Sequence, residues 1–425
     1  MTLRSSASFT SPIVECFPQV SATASADAAA VQFDNGRTAA AIQLAPTTGV
    51  LHLINGEHFS GAERVQQHLG HQLTQFGFTS HFACLKPGKF AALSGLPAER
   101  VHALPMRSRV DWQVIQRVTN LARETDCVLL HAHTPRTALV AAFAAHRLGL
   151  PWIYHVHSPT ARDSTRGVVN RINDLVERFA IASCSLMITV SRSLRREMLA
   201  RGVQRERLVA IPNGVAAIDP IDADSRVEQA HWRLGLIALM RPRKGVEVAL
   251  EAMAQLKHRG APITLELIGG FETSEYQQQV LARIDALGLR DLVQWSGFTR
   301  DVPSALRRLD ALVLPSLFGE GMPMVVLEAL SAGVPVVATR VEGTPEVVRH
   351  GIEGVLAQPR SAEDLAEKIG DLISDRRRWA DMSRAALVRH RSRFSDIQMA
   401  QQVAKAYGRL ISKSSGVSTT EDTES

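Results

Sequence analysis

The sequence predicts an α/β protein built from two doubly wound parallel sheets in tandem. Three observations carry this prediction. Short β-branched runs of strand length alternate with longer amphipathic stretches. The alternation stops at Pro212-Asn213-Gly214, passes through the polar, turn-rich segment Val215–Gln229, and then restarts. A chain of 425 residues, 45% of them hydrophobic, is long and apolar enough to fill two cores.

Taken in order, residues 1–48 are rich in Ser, Ala and Thr without periodicity and read as a disordered tail. Strand-length runs follow at Val50–Ile54, His81–Leu85, Val128–His131, Trp152–Val156, Met187–Val190 and Leu208–Ile211. Helical patterns at Ala62–Gln75 and Thr137–Leu148 lie between them. These define a first domain over 49–212 and a linker over 213–231. A second domain, 232–395, carries strand runs at Leu234–Leu239, Ile263–Ile268, Leu292–Trp295, Ala311–Leu314 and Val334–Ala338. Its helical patterns are Val246–Lys257, Ser274–Leu287 and Met322–Ser331, and the polar stretch 412–425 reads as another tail.

Composition narrows the partners. Cys16, Cys84, Cys127 and Cys184 are widely spaced, which suits a reducing compartment. No apolar run reaches the roughly 18 residues of a membrane span, and the first thirty residues lack the apolar core of a signal peptide. Lysines number 7 and arginines 41; so broad a bias reads as general composition rather than phosphate recognition. The net charge of +6 divides unevenly. Leu51–Pro212 holds 20 basic and 11 acidic residues, hence +9, leaving 28 − 31 = −3 elsewhere. The same segment has 11 of the 15 histidines. A basic first domain predicts a phosphate-bearing ligand or an anionic membrane surface there, and disfavours nucleic acid.

The most informative segment runs from Phe318 to Thr339, with Glu320 and Glu328 separated by seven residues. It follows a strand, and its Gly321-Met322-Pro323 turn opens a helix with Pro323 expected in the first turn. Exposed amides at that helix start can receive phosphate or sugar oxygens. Eight helical residues rise about 12 Å, whereas glycosidase carboxylate pairs sit roughly 5–9.5 Å apart about one bond. The spacing therefore suits two anchors along one extended ligand. Alone, the pair could be a solvated Glu and an ordinary helical Glu; the strand and the Gly-x-Pro turn favour a site.

Two His-x-His pairs, His131/His133 and His155/His157, each point to one face of a strand. No third ligand stands at diagnostic spacing, so the expectation is buried histidines with satisfied hydrogen bonds and no metal. Asp222-Ala-Asp224 falls in the linker and is discounted as a metal motif. Neither a Walker loop nor Gly-x-Gly-x-x-Gly is present, which disfavours kinases and dehydrogenases. The basic runs Arg162–Arg166 and Ser191–Arg196 read as solvated faces, or else as contacts to anionic lipid or a lipid pyrophosphate.

The Glu320–Glu328 segment resembles the Glu-x7-Glu signature of retaining, GT-B-fold glycosyltransferases of family 4. The similarity extends from about Leu51 to Leu410 through Ser60-Gly-Ala-Glu-Arg64, His131-Ala-His133, His155-Val-His157, Ile188-Thr-Val-Ser191, Ile211-Pro-Asn-Gly214, Arg241-Pro-Arg-Lys244-Gly245, Ile268-Gly-Gly270, Gly297-Phe298 and Gly343-Thr-Pro-Glu346.

The resemblance implies two Rossmann-like domains facing a cleft, with a helix over 396–411 crossing back to the first. It implies that Lys244 and Arg241 (or Arg243, given the compact spacing) hold the donor diphosphate, and that Glu320 takes the donor sugar beside the Gly321, Met322, Pro323 and Met324 backbone. Glu328 would take the ribose, Gly297-Phe298 would line the nucleobase pocket, Gly61 would permit close approach of ligand, and His157 would face the reaction centre. The implied activity is metal-independent transfer, with retention, from a nucleotide-sugar donor to a carbohydrate or lipid-linked acceptor. No cofactor is expected, and the implied location is cytoplasmic, extending to the inner face of the cell membrane. The alternatives are an epimerase or phosphorylase on the same fold, or an inactive binding subunit.

Overall fold

The computed structural model describes residues 47–108, 111–158 and 182–414. Nearly all of both expected tails, Cys16 and the run Arg162–Arg166 lie outside the described residues. Thr48 already begins the first strand, and the last helix continues to Ser414.

The first sheet has seven parallel strands: β1 (Thr48–Ile54), β2 (Phe78–Cys84), β3 (Val101–Ala103), β4 (Cys127–Ala132), β5 (Trp152–Val156), β6 (Leu186–Thr189) and β7 (Leu208–Ala210). They lie in the order β3-β2-β1-β4-β5-β6-β7. The second has six: β8 (Trp232–Ile237), β9 (Ile263–Ile268), β10 (Val293–Gly297), β11 (Ala311–Leu314), β12 (Val336–Thr339) and β13 (Gly354–Ala357), ordered β10-β9-β8-β11-β12-β13. Every interior strand is covered by helices on both faces, which is why these runs read as near-continuous Val, Ile and Leu. The edge strands β3 (Val-His-Ala) and β13 (Gly-Val-Leu-Ala) are three and four residues long and hold at most two large apolar residues in a row, so the sequence does not mark them.

Local chemistry sets the helix ends. Thr134 caps the helix Pro135–Leu148, Pro135 occupies its first turn, and Gly149 ends it in the left-handed region. Ser60 caps the helix Gly61–Gln72: the Glu63 carboxylate accepts from the Ser60 amide at 3.1 Å and from its hydroxyl at 2.5 Å.

The connection between the sheets is firmly held despite its polar sequence. Val215 is buried and bridges Ser395, and the Ile221 amide donates to the Ala332 carbonyl. The C-terminal helix, Asp396–Ser414, returns to the first sheet. There Gln72 donates to Asp396 at 2.8 Å, and Tyr407 packs against His131. Among the described residues no helix is long and apolar enough to cross a membrane.

Candidate active site

Strand order reverses between β1 and β4 in the first sheet and between β8 and β11 in the second. Ligands of open α/β sheets gather beyond the strand C-termini at such points. The segments following β1, β8 and β11 carry Gly61, Arg241–Lys244 and Glu320, while His157 follows β5 beside the first switch point.

Glu320 is the centre of the second-sheet cluster. It is 5% exposed, accepts from the Ser316 hydroxyl at 2.6 Å and from the Lys244 ammonium at 2.5 Å, and has the Arg243 guanidinium 3.7 Å away. Burial alone would raise its carboxyl, but Lys244, Ser316 and Arg243 outweigh burial and hold it below the ordinary range. Burial in turn pulls the Lys244 ammonium down, against the pull of Glu320. Gly245 makes this turn possible. Its φ is 70°, and any Cβ there would overlap the Pro315 carbonyl. The structure also separates the two arginines: Arg243 reaches Glu320 and the Gly319 carbonyl, while Arg241 faces Glu272 at 3.6 Å.

The helix of the signature is shorter than expected. It spans Met324–Ser331, with Pro323 as its N-cap residue (φ −73°, ψ 114°) rather than inside the first turn, and Met322 before it. The chain bends at Gly321-Met322 and enters the helix only after Pro323, because a residue preceding proline is biased away from helix. Glu320 therefore lies on a loop, and the 12 Å helical rise does not separate the two carboxylates. Glu328, 2% exposed, meets the Arg64 guanidinium from the helix of the first sheet. Burial raises the Glu328 carboxyl, and Arg64 offsets this only in part.

The two halves touch here. Gly321 packs on the His157 carbonyl so closely that a Cβ would overlap it, and a Cβ on Gly61 would lie 3.2 Å from Met324 Cγ. Asn213 donates to the Met322 carbonyl at 3.3 Å. Glu346 reaches across to accept from the amides of Arg192 and Ser193 at 2.7 and 2.6 Å, at the start of the helix Arg192–Ala200. Gly297 and Phe298 stand apart from this cluster, at the end of edge strand β10, three strands from β11. Phe298 is 75% exposed.

The histidines depart from expectation. His52, His131, His133 and His155 are buried side by side with His157, and among the described residues His131 Nε2 and both nitrogens of His155 lack hydrogen-bond partners. The expected satisfied hydrogen bonds are therefore incomplete, because apolar strand neighbours and stacked rings surround them. Two trios, His52/His131/His133 and His133/His155/His157, bring ligand atoms within 4.8 Å and could hold a transition metal. Zinc–nitrogen bonds of about 2.1 Å limit ligand separations to about 4.2 Å, so a trio spread to the full 4.8 Å would have to contract.

Sequence reasoning did not single out Arg64, Ser316, His52 or Tyr407. Arg64 lies in the Ser60–Arg64 motif, one turn beyond Gly61; the others carry no local signal.

Two parallel Rossmann-like sheets in tandem, with the buried carboxylates Glu320 and Glu328 where they meet, define the GT-B class of protein. The chain matches Glycosyltransferase Family 4 over residues 59–217 and Glycosyl transferases group 1 over residues 221–389. It belongs to the group 1/family 4 glycosyltransferases. It is 31% identical over 194 residues to an exopolysaccharide phosphotransferase of Streptomyces coelicolor, covering 45% of this chain and 20% of that protein. It is 29% identical over 195 residues to the amylovoran biosynthesis glycosyltransferase of Erwinia amylovora, covering 44% and 46%. The chain thus spans a fifth to about half the length of these curated relatives. The fold matches Anabaena Alr3699/HepE, whose crystal structure holds UDP and glucose, with TM-score 0.73 at 23% identity over 85% of this chain and 100% of that one.

Proposed function

We propose that the protein transfers a sugar, with retention, from a nucleotide-sugar donor to a hydroxyl of a carbohydrate or lipid-linked acceptor in envelope or exopolysaccharide synthesis. The observation that carries this reading is the Glu320–Lys244–Arg243 cluster set against the His157 carbonyl and the Gly61 helix across the cleft. In it Lys244 and Arg243, with Arg241 as the outer arginine, hold the diphosphate and stabilise its charge as the bond to the sugar breaks. Glu320 accepts donor-sugar hydroxyls beside the Gly321–Met324 backbone, Glu328 takes the ribose, and Gly61 lets the ligand approach the helix start. Gly297 and Phe298 offer an exposed ring to the base.

The attacking hydroxyl enters from the first-sheet side, and the leaving phosphate accepts its proton, so no carboxylate nucleophile is required. The relatives' polysaccharide names and the UDP and glucose held by the fold relative support a UDP-sugar donor and a polysaccharide pathway. The basic first half supports acceptor or anionic-membrane contact there, at the cytoplasmic face. Incubation with UDP-, GDP- and ADP-sugars and lipid-linked acceptors tests the reading. Acceptor-dependent release of nucleotide diphosphate is expected, and release that needs no acceptor or its complete absence across the panel refutes it.

A further inference from the structure

A chain of polar contacts links His157 to the C-terminal helix through the core of the first sheet. His157 Nε2 lies 3.1 Å from His133 Nδ1, and His133 Nε2 lies 3.0 Å from His52 Nδ1. His52 Nε2 meets the Tyr407 hydroxyl at 3.5 Å, the longest link, and that hydroxyl meets His131 Nδ1 at 2.6 Å. The residues come from β1, β4, the end of β5 and a helix more than 250 residues further along the chain. Pairing of His52 with His131 across β1 and β4 sets the rings side by side. The rings of His133 and His157 are then tilted only 17° from each other, as are those of His52 and His133, so each nitrogen aims along the next ring's plane.

Protons in such a chain can run in one of two directions, and each neutral imidazole supplies one. The rings are neutral: His52, His131, His133 and His155 are buried, and among the described residues no carboxylate pairs with them or with His157. The 2.6 Å contact favours one direction, because that separation is ordinary for an O–H donor and short for an N–H donor. Tyr407 therefore donates to His131 Nδ1, and its oxygen can only accept from His52 Nε2–H. His52 Nδ1 then accepts from His133 Nε2–H, and His133 Nδ1 accepts from His157 Nε2–H.

We propose that Tyr407, His52 and His133 are positioning residues that fix His157 as its Nε2–H tautomer, with Nδ1 a bare acceptor at the cleft end of the chain. Among the described residues His157 Nδ1 has no partner, as this requires. The surplus proton resides at the core end, on His131 Nε2, beside the stacked ring of His155. Such a His157 accepts from a sugar or acceptor hydroxyl and cannot donate to a carbonyl, so it selects ligands that present an O–H there. The inference rests on the glycosyl-transfer reading only in placing His157 at the reaction centre.

The test is long-range 1H–15N correlation of the full chain labelled with 15N-histidine, without substrate, for the wild type, Tyr407→Phe and His133→Phe. In the wild type His157 should show a bare Nδ1 and a protonated Nε2. In both variants, which keep a ring at each position, its signals should move toward a mixture of tautomers. Where a transferred sugar is found, kcat of Tyr407→Phe should fall roughly three- to tenfold, with a smaller change in donor KM. A protonated Nδ1 in the wild type overturns the proposal, whatever the variants do. So does a His157 pattern unchanged in both folded variants, or a chelator-removable metal that holds the rings. The spectrum is read without turnover, so an inactive protein with the expected wild-type tautomer counts against the transfer reading and leaves this one standing.

Discussion

Five clustered neutral histidines, four of them buried and His157 half-buried, make acid the protein's weak point. In the unfolded chain His52, His131, His133, His155 and His157 each take up a proton below about pH 6.5. In the folded chain burial holds His52 at about 3, His157 at about 4 and the other three well below their ordinary value. The unfolded state therefore binds more protons throughout this window, and stability falls as pH falls through it. At pH 5 His52 and His157 have each cost about 2 kcal/mol relative to pH 8, and the other three add to this in the same direction. A typical domain has only about 5–15 kcal/mol in total. The Glu328 carboxyl, raised by burial, works in the opposite direction, but it is a single group.

Urea unfolding followed by tryptophan fluorescence from pH 8 to pH 5 should show the midpoint collapsing, with loss of the folded state near pH 5. The steepest slope should exceed two protons per molecule, about 1.4 kcal/mol per pH unit for each. His155→Phe is the matched control, since both His155 nitrogens are unpartnered and its ring stacks on His131. It should remove about one proton from that slope and, at pH 7, stabilise the fold by about 1 kcal/mol by deleting unsatisfied groups. Midpoints that stay level between pH 8 and pH 5.5, or an unchanged slope in His155→Phe, refute this reasoning.

Other substitutions test the cleft. Glu320→Gln and Lys244→Ala should each lower kcat of transfer by roughly a hundred- to a thousandfold, while circular dichroism stays that of the wild type; full activity in either refutes the assigned roles. Gly321→Ala sets a Cβ against the His157 carbonyl and should part the two halves, costing roughly a hundredfold in kcat/KM. Arg64→Ala leaves Glu328 buried beside a lost cation and should lower urea stability by about 1–3 kcal/mol, less in Arg64→Ala/Glu328→Gln. Vesicles of anionic lipid should sediment the protein at low salt and release it at high salt; no sedimentation at low salt removes the membrane contact.

The fold was legible because both sheets are parallel and buried on two faces, which forces apolar runs into the strands and amphipathic patterns into the helices. β3 and β13 escaped because Val-His-Ala and Gly-Val-Leu-Ala hold at most two large apolar residues in a row, whereas the equally short β7 runs on into Ile211. At the site, spacing singled out Glu320 and Glu328 as candidates and the family resemblance added Lys244; the structure places Lys244 against Glu320 and turns Glu328 toward Arg64. Arg243 could not be told from Arg241, because which guanidinium turns inward depends on the Phe318–Gly319 carbonyls some 75 residues away. His52 and Tyr407 were invisible for the same reason on a larger scale: only pairing of β1 with β4 and return of the C-terminal helix bring them to His131. Pro323 was misplaced by one step, into the first turn rather than at the cap, because its fixed φ suits both positions.

The cleft's internal ion pairs bear on how a donor would enter. Each buried carboxylate already faces a cation: Glu320 faces Lys244, and Glu328 faces Arg64 from the opposite half. Breaking either pair without replacement would strand a charge in a dry site, which costs far more than the pair itself contributes. A nucleotide sugar carries the replacement for both in one molecule. Its diphosphate can take over Lys244, while its sugar and ribose hydroxyls donate to Glu320 and Glu328. A ligand with phosphate but no hydroxyls, or hydroxyls but no phosphate, satisfies only half of each exchange. Inorganic pyrophosphate and the free sugar, tested separately by thermal shift, should therefore stabilise the protein far less than the intact donor at equal concentration. A free sugar that matches the donor would show that the carboxylates are not engaged in this exchange.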